Sequence, residues 1–126
     1  MPKGDLVAEY VREALADWPP ANGEPIFAKR MFGGHGIYCG SLMFALIADD
    51  ELYLKTDELN RPDFERRSLP PFTFTSKRGT STMSYYLAPP EAMERPADLE
   101  PWARSALEAA RRAPTRKKPK RKKVDP

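Results

Sequence analysis

Residues 26–55, IFAKRMFGGHGIYCGSLMFALIADDELYLK, decide the fold. Short apolar runs are cut here by glycines and acids, a pattern of strands rather than of a helix. Ile26–Met31 reads as one strand, residues 36–39 as a second after the Gly33-Gly34 break, Leu42–Ala48 as a third and residues 52–55 as a fourth. Asp49, Asp50 and Glu51 make a tight turn between the last two, and breaks this brief join antiparallel neighbours. Leu42–Ala48 is apolar almost throughout, which predicts a central strand rather than a half-exposed one.

On the N-terminal side of this meander, Leu6, Val7, Tyr10, Val11, Ala14 and Leu15 recur at spacings of three and four, with Glu9, Arg12, Glu13 and Asp17 opposite. That is the stripe of an amphipathic helix. Asp5 is placed to cap its first turn, and Pro19-Pro20 stop it just past Trp18. On the C-terminal side, Asp57 reads as the cap of a second helix reaching about Arg67, with Leu59 and Phe64 inward. Pro62 falls in that span, so it either sits in the first turn or divides the helix in two. Residues 72–76 and 82–87 alternate as strands around Lys77-Arg78-Gly79, a hairpin signal, before Pro89-Pro90 ends the sheet. Asp98 opens a last helix whose apolar face is Leu99, Trp102, Ala103, Ala106, Leu107 and Ala110. The order predicts an α+β domain: a mostly antiparallel sheet of about five or six strands, with N-terminal, middle and C-terminal helices packed on it.

Charge divides the chain. The 126 residues hold 21 Lys and Arg against 18 Asp and Glu, a net of +3. Residues 111–126 carry nine of those bases (Arg111, Arg112, Arg116, Lys117, Lys118, Lys120, Arg121, Lys122 and Lys123) and one acid, Asp125. Residues 1–110 are left with 12 bases and 17 acids, a net of −5. The expected organisation is a folded domain over residues 1–112 and a disordered basic tail over 113–126. The tail reads either as a solubilising extension or as a nucleic-acid tether, whose affinity would come from counterion release. One cysteine, Cys39, forms no internal disulfide and suits a reducing compartment. The start MPKGDLVAEY lacks a signal-peptide pattern, and no run reaches about 18 apolar residues, so a cytoplasmic protein without a membrane contact is expected.

Few residues could carry chemistry. The glycines of Met31-Phe32-Gly33-Gly34-His35-Gly36 lead into a strand, not a helix N-terminus, so they read as a turn or bulge rather than a phosphate cradle. His35 and Cys39 are the single histidine and the single cysteine, too few for a metal site. A Cys–His nucleophile pair is formally open but ranks behind a packing role. Asp49, Asp50 and Glu51 read as a solvated tip, and Lys77, Arg78 and Thr80-Ser81-Thr82 as an ordinary hairpin end. The many aromatics raise an RNA-stacking sheet, but an inner face covered by helices accounts for them better, and the acidic body opposes a polyanion platform. Aromatics beyond what the helices cover would indicate a dimer face.

The stretch Lys29-Arg30-Met31-Phe32-Gly33-Gly34-His35-Gly36-Ile37-Tyr38 resembles the TfoX N-terminal domain family, in which an MFGG-x-G-(ILV)-Y segment precedes the first hairpin. The likeness continues through residues 42–47, through Glu51-Leu52-Tyr53-Leu54-Lys55 and Met83-Ser84-Tyr85-Tyr86, and closes at Leu99-Glu100-Pro101-Trp102-Ala103, covering about residues 5–112. Met31, Phe32, Gly33, Gly34, Gly36, Tyr53, Lys55 and Trp102 carry it as structural motif positions. The resemblance implies an α+β domain of bacterial regulators of competence for DNA uptake, which assist transcription activation, and a family without established catalytic residues. Regulators of that kind carry a second domain of helix-hairpin-helix character where this chain has its basic tail. The resulting expectation is a non-enzymatic regulatory or interaction domain that needs no cofactor or metal. It would recruit a protein partner, such as a transcription component, and reach nucleic acid through the tail. The alternative is a small-molecule or peptide-binding module with a pocket beside Trp102 or Trp18, and a homodimer fits either reading.

Overall fold

The apolar run Leu42–Ala48 becomes an interior strand of a six-stranded antiparallel sheet. The computed structural model describes residues 3–31 and 33–113. Helix α1 (Lys3–Ala14) and a 3-10 turn (Pro19–Ala21) precede the meander β1 (Ile26–Met31), β2 (Gly34–Cys39), β3 (Leu42–Ala48) and β4 (Glu51–Lys55). Short helix α2 (Arg61–Glu65) leads to the hairpin β5 (Pro71–Ser76) and β6 (Gly79–Leu87). A second 3-10 turn (Pro90–Met93) then enters α3 (Pro96–Arg112). The strand order is β1-β2-β3-β4-β6-β5, so the hairpin docks by its second strand. The expected α+β architecture holds, with six strands.

Local chemistry sets the register. Asp49 and Asp50 both take positive φ, 52° and 66°, the two-residue turn that suits the twist of a hairpin. Gly33 takes φ 74° at the break after β1. Gly34 packs so closely on β3 that a Cβ there would lie 1.9 Å from the Ile47 carbonyl oxygen. The β2–β3 register slips between Ile37 and Tyr38, which pair with Ala45 and Met43. Phe44 is thus the extra residue of a bulge and joins Ala45 and Ile47 on one face. Against that face pack Ala8, Val11 and Leu15 of α1, Phe64 of α2, and Leu99, Ala103, Ala106 and Leu107 of α3. The alanines let α3 lie close over β3 and β4.

The structure corrects several expectations. Helix α1 ends at Ala14, not Trp18, and Leu6 of its supposed apolar stripe is exposed. Asp5 lies within its first turn and faces His35 and Arg30. The second helix begins only at Arg61, with Pro62 in its first turn. Residues 58–60 form a turn because the Asp57 carboxylate accepts the backbone N–H groups of Leu59 and Asn60, at 3.0 and 3.2 Å. Asn60 is buried, donating to the carbonyls of Lys55 and Ser105 and to the Ser105 hydroxyl. That anchorage turns Leu59 outward, 72 % exposed, so it is not an inward residue. Helix α3 starts at Pro96 with Arg95 at the cap; Asp98 sits in the first turn, accepting from Arg95 Nε at 2.9 Å. It runs through Arg112, so Arg111 and Arg112 complete a helix rather than begin an extension. The remaining tail residues Arg116, Lys117, Lys118, Lys120, Arg121, Lys122 and Lys123, and the expected disorder from 113 onward, fall beyond residue 113, outside the described residues apart from Ala113 itself.

Candidate functional site

All three helices pack on one face of the sheet, and no element among the described residues covers the other. Strand alternation fixes what the open face carries. Ile26 and Ala28 of β1 pack on the core, so Phe27, Lys29 and Met31 point the other way. Register then adds Gly36 and Tyr38 from β2, Met43 and Leu46 from β3, and Tyr53 and Lys55 from β4. Tyr85 and Leu87 of β6 pair with Lys55 and Tyr53 and complete the row.

The rings on this face form two clusters. Phe27 and Tyr38 stack nearly parallel, centroids 5.2 Å apart and planes 8° apart, across β1 and β2. Tyr53 meets Phe72 edge-on at 5.2 Å on the far side, where the Lys55 ammonium lies 5.2 Å over the Tyr85 ring. Between them the side-chain ends of Met43 and Met31 fill the space over Gly36, where a Cβ would lie 2.7 and 2.9 Å from them. Tyr85 donates its hydroxyl to the Met43 carbonyl at 3.2 Å, and Lys55 Nζ donates to the Ser84 hydroxyl at 2.7 Å. Burial, then Glu51 and Asp49, push the Tyr53 phenol above its ordinary pKa, so it remains a donor. The aromatics are therefore split between the two faces. The expectation that a helix-covered core accounts for them holds for Phe44, Phe64, Trp18 and Tyr86 and fails for the rings of the open face.

Charge is segregated in the same way. Of the acids in residues 1–110, Glu51 alone lies in a strand; the rest are on helices, turns and connectors. The open face presents Lys29 and Lys55, and the β5–β6 tip presents Lys77 and Arg78. At the Lys55 end of β4, Arg112 grips Asp57 by two bonds of 2.6 and 2.9 Å. The Arg112 bond, with the two backbone N–H groups, outweighs burial and holds the Asp57 carboxyl at a pKa of about 2. Lys55, Arg112 and Ala113 line one cleft, so the described residues end beside this end of the open face.

The other candidates resolve into packing or surface. His35 and Cys39 do share a face of β2, but four residues of strand separate them by about 13 Å. His35 Nε2 meets Asp5 Oδ1 at 2.9 Å, its side chain is 12 % exposed, and its buried Nδ1 has no partner. Cys39 is buried against the Ala21 carbonyl; burial pushes its thiol pKa up, while Arg111 pulls the other way. The two do not form a nucleophile pair. Asp49 and Asp50 are an exposed turn, as expected, whereas Glu51, expected in the same tip, is the first residue of β4. Among the described residues no group of three His, Cys, Asp or Glu could hold a metal ion, and no helix is long and apolar enough to cross a membrane.

The two tryptophans are engaged rather than offered. Trp18 lies beside Phe44 with centroids 6.1 Å apart and donates its N–H to Glu100 at 3.0 Å, next to a cleft of about 580 Å³. Trp102 meets Phe64 edge-on at 5.0 Å beneath the Arg67 guanidinium, beside a groove of about 330 Å³. Of the motif positions, Gly33 and Gly34 build the β1–β2 connection, Met31, Gly36, Tyr53 and Lys55 lie on the open face, and Phe32 is outside the described residues.

Comparison with known families matches residues 19–110 to the TfoX N-terminal domain. The match spans the whole sheet and most of α3, and leaves α1 and Arg111 onward outside it. No curated protein matches the chain.

Proposed function

This chain belongs to the TfoX N-terminal domain family, and from that premise we propose a non-enzymatic regulatory domain that works by binding other macromolecules. The open aromatic face carries the reading. It is an apolar surface on a domain whose polar side chains, among the described residues, assemble no catalytic constellation, and such a surface rimmed by charge marks a binding site. The basic residues from Arg116 to Lys123 add polyanion affinity, so the domain joins nucleic acid to a partner of the transcription apparatus, the role the family resemblance implies. The clefts at Trp18 and Trp102 support the small-molecule alternative less well, because both rings already spend their polar edge or face on neighbours.

A titration of duplex DNA tests the tether. The full chain is compared with a variant carrying Lys117, Lys118, Lys120, Lys122 and Lys123 as glutamine. Five fewer cations lower the slope of log affinity against log salt by about 4.5. Equal affinity of the two proteins at low salt removes the tether from the reading.

A further inference from the structure

We propose that the open sheet face is a platform for a single strand of nucleic acid, its bases stacked on the two aromatic clusters and its phosphates met by Lys29 and Lys55. The proposal rests on the reading of that face as the binding surface and names its occupant.

Three observations select this occupant. The first is ring placement: Phe27, 39 % exposed and stacked on Tyr38, lies at one edge of the open face, and Tyr53 with Phe72 lies towards the other. Every base has a face that stacks on such rings, and only an unpaired strand can turn it outward. Five inter-strand spacings make the sheet about 24 Å wide, room for roughly four nucleotides, the small end of known single-strand sites.

The second is charge complementarity. The body is acidic overall, yet its acids sit on the helical side and the turns, while the open face carries Lys29 and Lys55 with Glu51 as its strand acid. The third is where the chain goes. It passes Arg112 and Ala113 in the cleft that Lys55 lines, and the next 13 residues include seven bases. Thirteen residues reach at most about 45 Å, farther than the width of the sheet. A strand lying on the rings therefore falls within reach of the basic segment.

The strand is recognised by base faces and phosphates, whichever sugar it carries. The test is fluorescence anisotropy of a labelled dT12 strand, with U12 and a 12-base-pair duplex for comparison, titrated with the full chain. Expected are U12 and dT12 affinities within about threefold, weaker duplex binding, and a loss of roughly tenfold or more in a Phe27→Leu, Phe72→Leu variant. Lys29→Gln is expected to lower the salt slope by about 0.7. Leucine keeps the apolar contact, and Phe27→Leu alone, at a position 39 % exposed, serves if the double variant melts early.

Unchanged dT12 affinity in the ring variants, with binding lost on neutralising the tail lysines, overturns the platform and leaves the tether standing. A dimer that Phe27→Leu dissociates without any effect on dT12 overturns it in favour of self-association. A sugar preference beyond about 30-fold overturns the proposed mode of recognition. Failure of the native chain to bind dT12 or duplex at low salt overturns the platform and the tether together.

Discussion

The two faces of this sheet are built from alternate residues of the same strands, and they meet different fates. On one, Phe44, Ile37 and Leu54 are sealed under α1, α2 and α3 with at most 1 % of their surface exposed. On the other, Leu46 and Tyr85 are equally hidden, at 2 and 6 %, but by neighbouring side chains of the sheet, while Phe27 and Phe74 remain 39 % exposed. Burial of the first face drives folding. The second is apolar beyond what folding needs, and its rings are held in place by a scaffold stabilised elsewhere. A surface of that kind is rigid before it meets a ligand, which lowers the ordering cost of binding.

The contrast has measurable limits. Phe64→Ala, on the covered side, is expected to cost about 3–5 kcal/mol in urea unfolding, because it empties a site shared by Tyr86 and Trp102. Phe27→Ser should cost under about 1 kcal/mol, as exposed positions do. A comparable loss at the two positions would break the distinction between the faces. Gly34→Ala is expected to cost about 3 kcal/mol, since its Cβ would strike the Ile47 carbonyl. At Gly36 the new Cβ meets the flexible ends of Met43 and Met31, which can move aside, so Gly36→Ala should cost less. Equal melting of the two alanine variants would contradict that division.

Asn60→Ala is expected to cost about 2 kcal/mol by stranding the carbonyls of Lys55 and Ser105, read by the same unfolding curve. A smaller effect follows pH. The folded Asp57 carboxyl, at about 2, lies below the ordinary carboxylate value near 3.9. Its stabilisation is complete above about pH 4 and disappears as pH falls through about 2. Side chains 25 and 37 % exposed are screened, so about 1 kcal/mol is at stake, and Arg112→Gln should flatten this acid limb. Smallest is the chemistry of Cys39: a buried thiol of raised pKa should resist alkylation at pH 7 in the folded chain and react on unfolding.

Much of the architecture was legible because it is written in local pattern. The apolar run of β3, the Asp49-Asp50 turn and the Ala-rich face of α3 are signals a few residues long, and each appears where it was expected. Residues 57–60 form a turn rather than the start of a helix for an equally definite reason. Asp57 looks like a helix cap, but its partners Asn60, Ser105 and Arg112 come together from distant parts of the chain, and they tie those residues into a turn. The candidate face departs from expectation too. Aromatics at alternate positions in Phe27, Tyr38 and Tyr53 look the same whether a helix lies over them or not.

The sequence by itself determined the order of strands and helices, the family and the division of charge between an acidic body and a basic C-terminal segment. Each of these depends on spacing and composition along the chain. Only the tertiary structure decided which side of the sheet the helices would take, that Arg111 and Arg112 close α3, and that Ala113 lies beside Lys55. Alternation specifies two faces but is symmetric between them when both are apolar. The bulge at Phe44 and the docking of all three helices on its side break that symmetry, and the breaking leaves a row of rings open to a partner.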